Sequence, residues 1–105
     1  MEVYDFRAMA KWSDARFQSV VVFREPSQRG MLLCMKAGQE VPEHSADGVV
    51  SVQAITGHVV FWDEETPADL VPGQAVRVDR GRRHRVEAKE ESIVFVTITA
   101  VPDQT

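Results

Sequence analysis

The sequence is poor in cysteine and histidine and has no long apolar run. Its 105 residues include one cysteine, three histidines and one tyrosine. A single cysteine, Cys34, excludes an intramolecular disulfide and a zinc cluster built from cysteines, and its apolar surroundings predict a buried, inert thiol. No apolar run approaches the ~20 residues of a membrane-spanning helix, and residues 1–5 lack the pattern of a secretory signal. These absences predict a cytoplasmic protein without a membrane partner.

The charge balance excludes a further class of partner. The net charge is −4 and the pI is near 5.3, so we expect no bulk attraction to nucleic acid. Apolar residues make up 44% of the chain and charged residues 27%, as in ordinary globular proteins. The length predicts a single domain over residues 1–105 with one modest hydrophobic core.

Short apolar segments separated by turn residues recur along the chain. They are rich in β-branched and aromatic side chains, and turn signals recur every ~8–12 residues, a pattern typical of an all-β sandwich or barrel. The predicted strands are residues 20–23, 31–36, 49–55, 59–62, 75–78, 84–87 and 92–99. Residues 1–18 lack the pattern, and we expect them to cap the barrel or cover an edge strand.

Alternation within one strand predicts the inner wall of the barrel. Val50, Val52 and Ala54 have the same parity and form one apolar face. Residues 57–58 (Gly-His) resemble a two-residue hairpin turn, which would pair Ala54 with Phe61 and bring Phe61 to the same inner face. Trp62 would then point outward. An outward tryptophan predicts either a homodimer surface or a contact covered by the N-terminal segment.

Two of the three histidines stand at regular distances from glycines. In the first half of the chain the spacing is Gly, five residues, His, with a later Gly; in the second half it is Gly, seven residues, Gly, two residues, His. The residues that share this spacing are Gly38, His44, Gly57, Gly73, Gly81 and His84. Fifteen residues separate Gly57 from Gly73. Both halves resemble, in order, the two motifs of small single-domain cupins.

The resemblance covers about residues 31–98 and implies a double-stranded β-helix, the jelly-roll barrel of cupins. The sequence departs from the cupin motifs at four positions. Ala46 stands where the second His of the first motif is expected, and Val50 where its Glu is expected. In the second motif Asp79 replaces the Pro and Ala88 replaces the Asn.

The resemblance implies a divalent metal ion (iron, manganese, zinc, nickel or copper) held by His-His-Glu and a further His. Only His44 and His84 match these ligands, and two imidazoles hold a metal weakly, so we expect the ion to be labile or absent. Glu40 shares strand parity with His44 and is a possible extra ligand. The alternative is that both histidines are merely hydrogen-bonded in a polar barrel mouth. His58 is predicted to be a solvent-facing turn residue.

The loss of the motif carboxylate makes the predicted cavity apolar. Val50, Val52 and Phe61 describe a pocket with imidazoles at its rim, suited to a small apolar or aromatic molecule. Arg82 and Arg83, in the loop before His84, are the candidates for binding an anionic group at the mouth. The alternative is a solvated loop in which the arginines around His84 are balanced by nearby acidic residues.

Three functions remain open from the sequence. The first is a dimeric cupin-like module that binds a small molecule, with or without a weakly held metal. The second is a metal-dependent dioxygenase or isomerase, which Ala46 and Val50 argue against. The third is a structural module whose barrel supplies a dimer surface.

Overall fold

Two antiparallel sheets pack face to face in the computed structural model, which describes residues 1–102. One sheet has five strands in the order β1-β2-β9-β4-β7, and the other has four in the order β3-β8-β5-β6. The elements are α1 (Phe6–Met9), β1 (Gln18–Arg24), β2 (Gln28–Met35), β3 (Glu40–His44), β4 (Val49–Thr56), β5 (Val59–Asp63), β6 (Thr66–Leu70), β7 (Ala75–Val78), β8 (His84–Ala88) and β9 (Ser92–Thr99). The predicted all-β jelly-roll barrel is confirmed.

The structure contains every predicted strand and two that were not predicted, β3 and β6. Each has a single buried residue, Val41 or Leu70, and each contains a proline, Pro42 or Pro67. β3 and β6 are the edge strands of the four-stranded sheet, where a residue without an N–H group is tolerated. Their pairing partners in the sheet, and not their own composition, explain why they are extended.

The hydrophobic core lies between the two sheets. Val50, Val52 and Ala54 of β4 are 3%, 2% and 2% exposed and share the inner face, as predicted from their alternation. Phe61 of β5 faces them from the opposite sheet and is 1% exposed. These side chains form the floor and walls of the barrel interior.

A second apolar layer covers the outer face of the five-stranded sheet. Leu32 and Cys34 of β2 and Ile93 of β9 are buried there, beneath the N-terminal segment. The ring of Phe6 in α1 stacks on Phe95 with 4.7 Å between centroids. The predicted packing of the N-terminal segment on the barrel is confirmed, and it explains why β2 and β9 are apolar on both faces. Burial raises the pKa of the Cys34 thiol above its usual value.

The predicted hairpin at residues 57–58 is wrong. β4 and β5 belong to different sheets, so the chain crosses the barrel at this point. Ala54 pairs with Val94, and Phe61 pairs with Ala68 and Val86.

Among residues 1–102, no helix has the length and hydropathy that crossing a membrane requires.

Candidate functional site

A bulge in β3 turns His44 toward the barrel interior. β3 pairs with β8 through Val41↔Val86 and His44↔His84, so β3 advances three residues between these pairs where β8 advances two. The extra residue reverses the alternation, and His44 shares the inner face with Val41. Glu40, which simple parity placed on the same face as His44, is exposed instead, and its carboxylate lies 3.9 Å from the Arg85 guanidinium. The expectation that Glu40 faces the site is therefore wrong.

The bulge brings the two motif histidines into contact. The imidazole rings of His44 and His84 have centroids 4.3 Å apart and meet edge to face. The other side of His84 stacks on Phe61, with centroids 5.6 Å apart. His84 is 4% exposed, whereas His44 lies at the exposed end of β3. The pair thus extends from the buried interior to the opening of the barrel.

Each imidazole has its tautomer determined by a backbone carbonyl. His44 Nδ1 lies 2.9 Å from the carbonyl oxygen of Pro42, and His84 Nδ1 lies 3.1 Å from that of Arg82. A carbonyl oxygen only accepts, so both Nδ1 atoms donate, and in the neutral ring Nε2 is left with a lone pair. Burial lowers the pKa of His84 below its usual value and nearby His44 lowers it further, against opposing effects of the Arg82 carbonyl and Asp63. His84 is accordingly neutral near pH 7.

A cavity of about 390 Å³ opens beside the histidine pair. This volume lies within the usual range for small-molecule sites. Val50, Val52 and Phe61 line it as predicted from the sequence, together with both histidines. Further apolar lining residues come from the other strands: Met31, Leu33, Val41, Val86, Val96 and Ile98. Exposed Ser45 and Asp47 form part of its rim.

The residues present do not fit a metal centre with three or four protein ligands. Within residues 1–102, no three His, Cys, Asp or Glu side chains are grouped so as to hold a metal ion. The two other motif positions, Ala46 and Val50, line the same cavity but offer no donor atom. Glu43, next to His44, is turned away and pairs with Arg83 at 2.7 Å.

The structure places Arg82 outside the cavity, which corrects the prediction that it lines the ligand pocket. Its Nε donates to Asp63 Oδ1 at 2.9 Å, and its Nη1 lies 3.4 Å from Glu64. Two carboxylates thus hold its guanidinium on the outer surface. Other arginines near His84 are paired in the same way, among them Arg80 with Asp47 and Arg83 with Glu43. The alternative of a balanced, solvated loop describes these arginines correctly.

Arg29 is a charged cavity residue that sequence reasoning missed. It is exposed, lies on β2, and lines the cavity together with Ile98 and Val50. In the sequence it falls in a turn-like stretch before Gly30, and nothing local distinguishes it from other surface arginines. The signal appears only in the strand register, which pairs Arg29 with Ile98 and Ile98 with Val50.

Two other predicted features have partners of their own. His58 does not line the cavity: its Nε2 lies 2.7 Å from Asp69 Oδ1, and its side chain is 35% exposed. Trp62 points outward as predicted, but the Arg85 guanidinium covers it, 3.7 Å from the ring centroid. Neither the N-terminal segment nor a second copy is needed to cover Trp62, and the homodimer stays a prediction.

Solved structures provide the comparison for this geometry. An RmlC-like cupin protein from Desulfovibrio desulfuricans has a TM-score of 0.87 at 24% identity, over 94% of this chain and 96% of that one. A protein from Thermus thermophilus has a TM-score of 0.85 at 26% identity, over 96% and 100%. An uncharacterised protein with a double-stranded β-helix domain from Klebsiella pneumoniae has a TM-score of 0.82 at 16% identity, over 95% and 90%.

No protein-family model matches the sequence, and no curated protein matches it. The similarity therefore lies in the structure, at identities that establish a shared fold without a shared activity. Both the strand order and these neighbours agree with the resemblance read from the glycine and histidine spacing. The chain is a small domain of the cupin jelly-roll fold.

Proposed function

We propose that the protein binds a small, largely apolar molecule in the barrel cavity, without needing a tightly bound metal ion. The observation that supports this most directly is the cavity itself, about 390 Å³ in volume with mainly apolar walls. A barrel that served only as a structural module would gain stability by filling this space with side chains. The open cavity therefore favours binding over a purely structural role.

The histidine pair gives the proposed ligand one polar requirement. In the neutral form each imidazole presents Nε2 as a hydrogen-bond acceptor, because its Nδ1 donates to a carbonyl oxygen. A ligand hydroxyl or N–H group satisfies such an acceptor, whereas an ether or hydrocarbon leaves it unpaired. We therefore propose a ligand with an apolar body and at least one hydrogen-bond donor, a description that phenol meets.

A divalent metal is a secondary element of the proposal. With His44 and His84 as its only protein ligands, such an ion would be weakly held. This donor set gives no support to the metal-dependent enzyme, so we do not propose an activity.

Binding of phenol and of anisole, its methyl ether, tests the proposal by NMR titration. We expect phenol to shift the signals of cavity residues and to bind about fivefold more tightly than anisole, the worth of one hydrogen bond of about 1 kcal/mol. Val50→Phe fills the cavity and should abolish binding, whereas Gln53→Phe, on the exposed face of the same strand, should not. Absence of phenol binding to the folded wild type would contradict the proposal.

A further inference from the structure

An arginine that forms no ion pair within residues 1–102 lies on the inner face of the five-stranded sheet, at the mouth of the cavity. Arg29 of β2 is directly opposite Ile98 of β9, which in turn is opposite Val50 of β4. Residues directly opposite in a sheet point to the same side. Val50 is 3% exposed on the inner face, so Arg29 faces inward as well. Two strand spacings, about 10 Å, separate its Cα from that of Val50.

Among the described residues, no carboxylate forms an ion pair with Arg29, although Glu25 and Asp47 line a shallow surface pocket together with it. The acidic residue on the cavity rim, Asp47, is 2.6 Å from Arg80 and is engaged there. Arg24 of β1 lies directly opposite Arg29 and likewise has no ion pair in this part of the chain. Like charges directly opposite each other in a sheet are unfavourable. Arg29 is therefore a cation at the barrel mouth without a paired carboxylate, whereas Arg80, Arg82 and Arg83 are each paired.

Arg29 and the histidine pair lie at the same end of the barrel on opposite walls. His44 ends β3, and a short connection leads from it to Val49 at the start of β4, next to the row that contains Arg29. His44 and His84 belong to the four-stranded sheet and Arg29 to the five-stranded sheet. Facing sheets are packed about 10 Å apart, a separation that one ring with a substituent at each end spans.

We infer that the ligand of this cavity is a small carboxylate with a hydroxyl or N–H group at its other end. Its carboxylate would bind the guanidinium of Arg29, its body would contact Ile98 and Val50, and its donor would bond to an imidazole Nε2. Guanidinium and carboxylate match in charge and in planar geometry. This inference rests on the proposed function and adds the chemical class of the ligand.

The test compares 4-hydroxybenzoate with 4-hydroxybenzamide, which has the same shape but no charge, by calorimetric titration at low salt. We expect the acid to bind about tenfold more tightly to the wild type, because a hydrogen bond to a charged group is stronger than one to a neutral group. Arg29→Gln should remove this preference. Arg77→Gln, which makes the same charge change at an exposed position of the same sheet, should retain it.

The outcomes separate this inference from the proposed function. Equal affinities of acid and amide for the wild type, or a preference that survives Arg29→Gln, would overturn the carboxylate class while leaving the apolar cavity as a binding site. If neither molecule binds to the folded protein, both the inference and the proposed function fail. A preference for the acid that disappears in Arg29→Gln and persists in Arg77→Gln supports both the inference and the proposed function.

Discussion

Restoring the two missing side chains should convert the histidine pair into a metal site. The perturbation is Ala46→His together with Val50→Glu. Both positions line the cavity with His44 and His84, so the double variant would offer three imidazoles and one carboxylate. Four such ligands satisfy a zinc ion, whereas the two imidazoles of the natural sequence do not.

The expected magnitude follows from the burial of position 50. Val50 is 3% exposed, so a carboxylate there is desolvated, and we expect the metal-free double variant to lose about 3 kcal/mol of unfolding free energy or more. Zinc at 100 times its dissociation constant raises the unfolding free energy of the double variant by about 2.7 kcal/mol, because it binds only the folded chain. For a domain of this size that gain raises the melting temperature by about 10–20 °C.

Thermal unfolding with added zinc and with chelator measures both effects. The double variant should melt lower than the wild type in chelator and recover with zinc, while the wild type responds much less. Adding His44→Ala to the double variant should remove most of the zinc response. An unresponsive double variant, or an equal response without His44, would refute the view that the lost side chains at positions 46 and 50 make the natural site incomplete.

Two further predictions concern stability. Gly57→Ala should lower the unfolding free energy by about 3–4 kcal/mol, because the residue has φ +81° and its new Cβ would collide with Ser92 and the backbone beside it. Gly73→Ala, with φ +95° and open space around the new Cβ, should lower it only by the backbone strain of about 1–2 kcal/mol. Equal losses in urea unfolding would count against this reasoning. The lowered pKa of His84 means that the unfolded chain takes up its proton first as the pH falls. Unfolding free energy should therefore decrease below about pH 6.5, and a His84→Gln variant that shows the same decrease would contradict this assignment.

Local sequence patterns were sufficient for the strands that bury side chains. β4 shows why: Val50 and Val52 alternate with polar Ser51 and Gln53, and the structure buries the two valines on the inner face. β3 shows the limit, because it has one buried residue, Val41, and its pairing with β8 makes it a strand. Gly57 shows a second limit. A Gly-His dipeptide has the composition of a hairpin turn, but whether the next strand pairs or crosses to the other sheet depends on partners distant in sequence.

The sequence predicted the histidines of the candidate site but not the strand register that orients its other residues. The spacing of the cupin motifs identified His44 and His84, which the structure brings into contact. The bulge that turns His44 inward leaves no local signal, so parity wrongly favoured Glu40. Arg29 was missed for the same reason, because its position at the cavity depends on a register across three strands. The density of arginines in the sequence favoured Arg82 instead, whose guanidinium forms ion pairs with two carboxylates on the outer surface.

The loss of the motif carboxylate and the lowered pKa of His84 reinforce each other. A carboxylate at position 50 would favour the protonated imidazoles, since a nearby negative charge raises a histidine pKa. With Val50 in its place, burial and the neighbouring ring keep the pKa of His84 low, so its Nε2 remains an acceptor at neutral pH. The cavity then has the uncharged acceptor of His84 on one wall and the cation of Arg29 at its rim. Such a cavity discriminates by hydrogen-bond donor and anionic group, and neither form of recognition requires a metal ion.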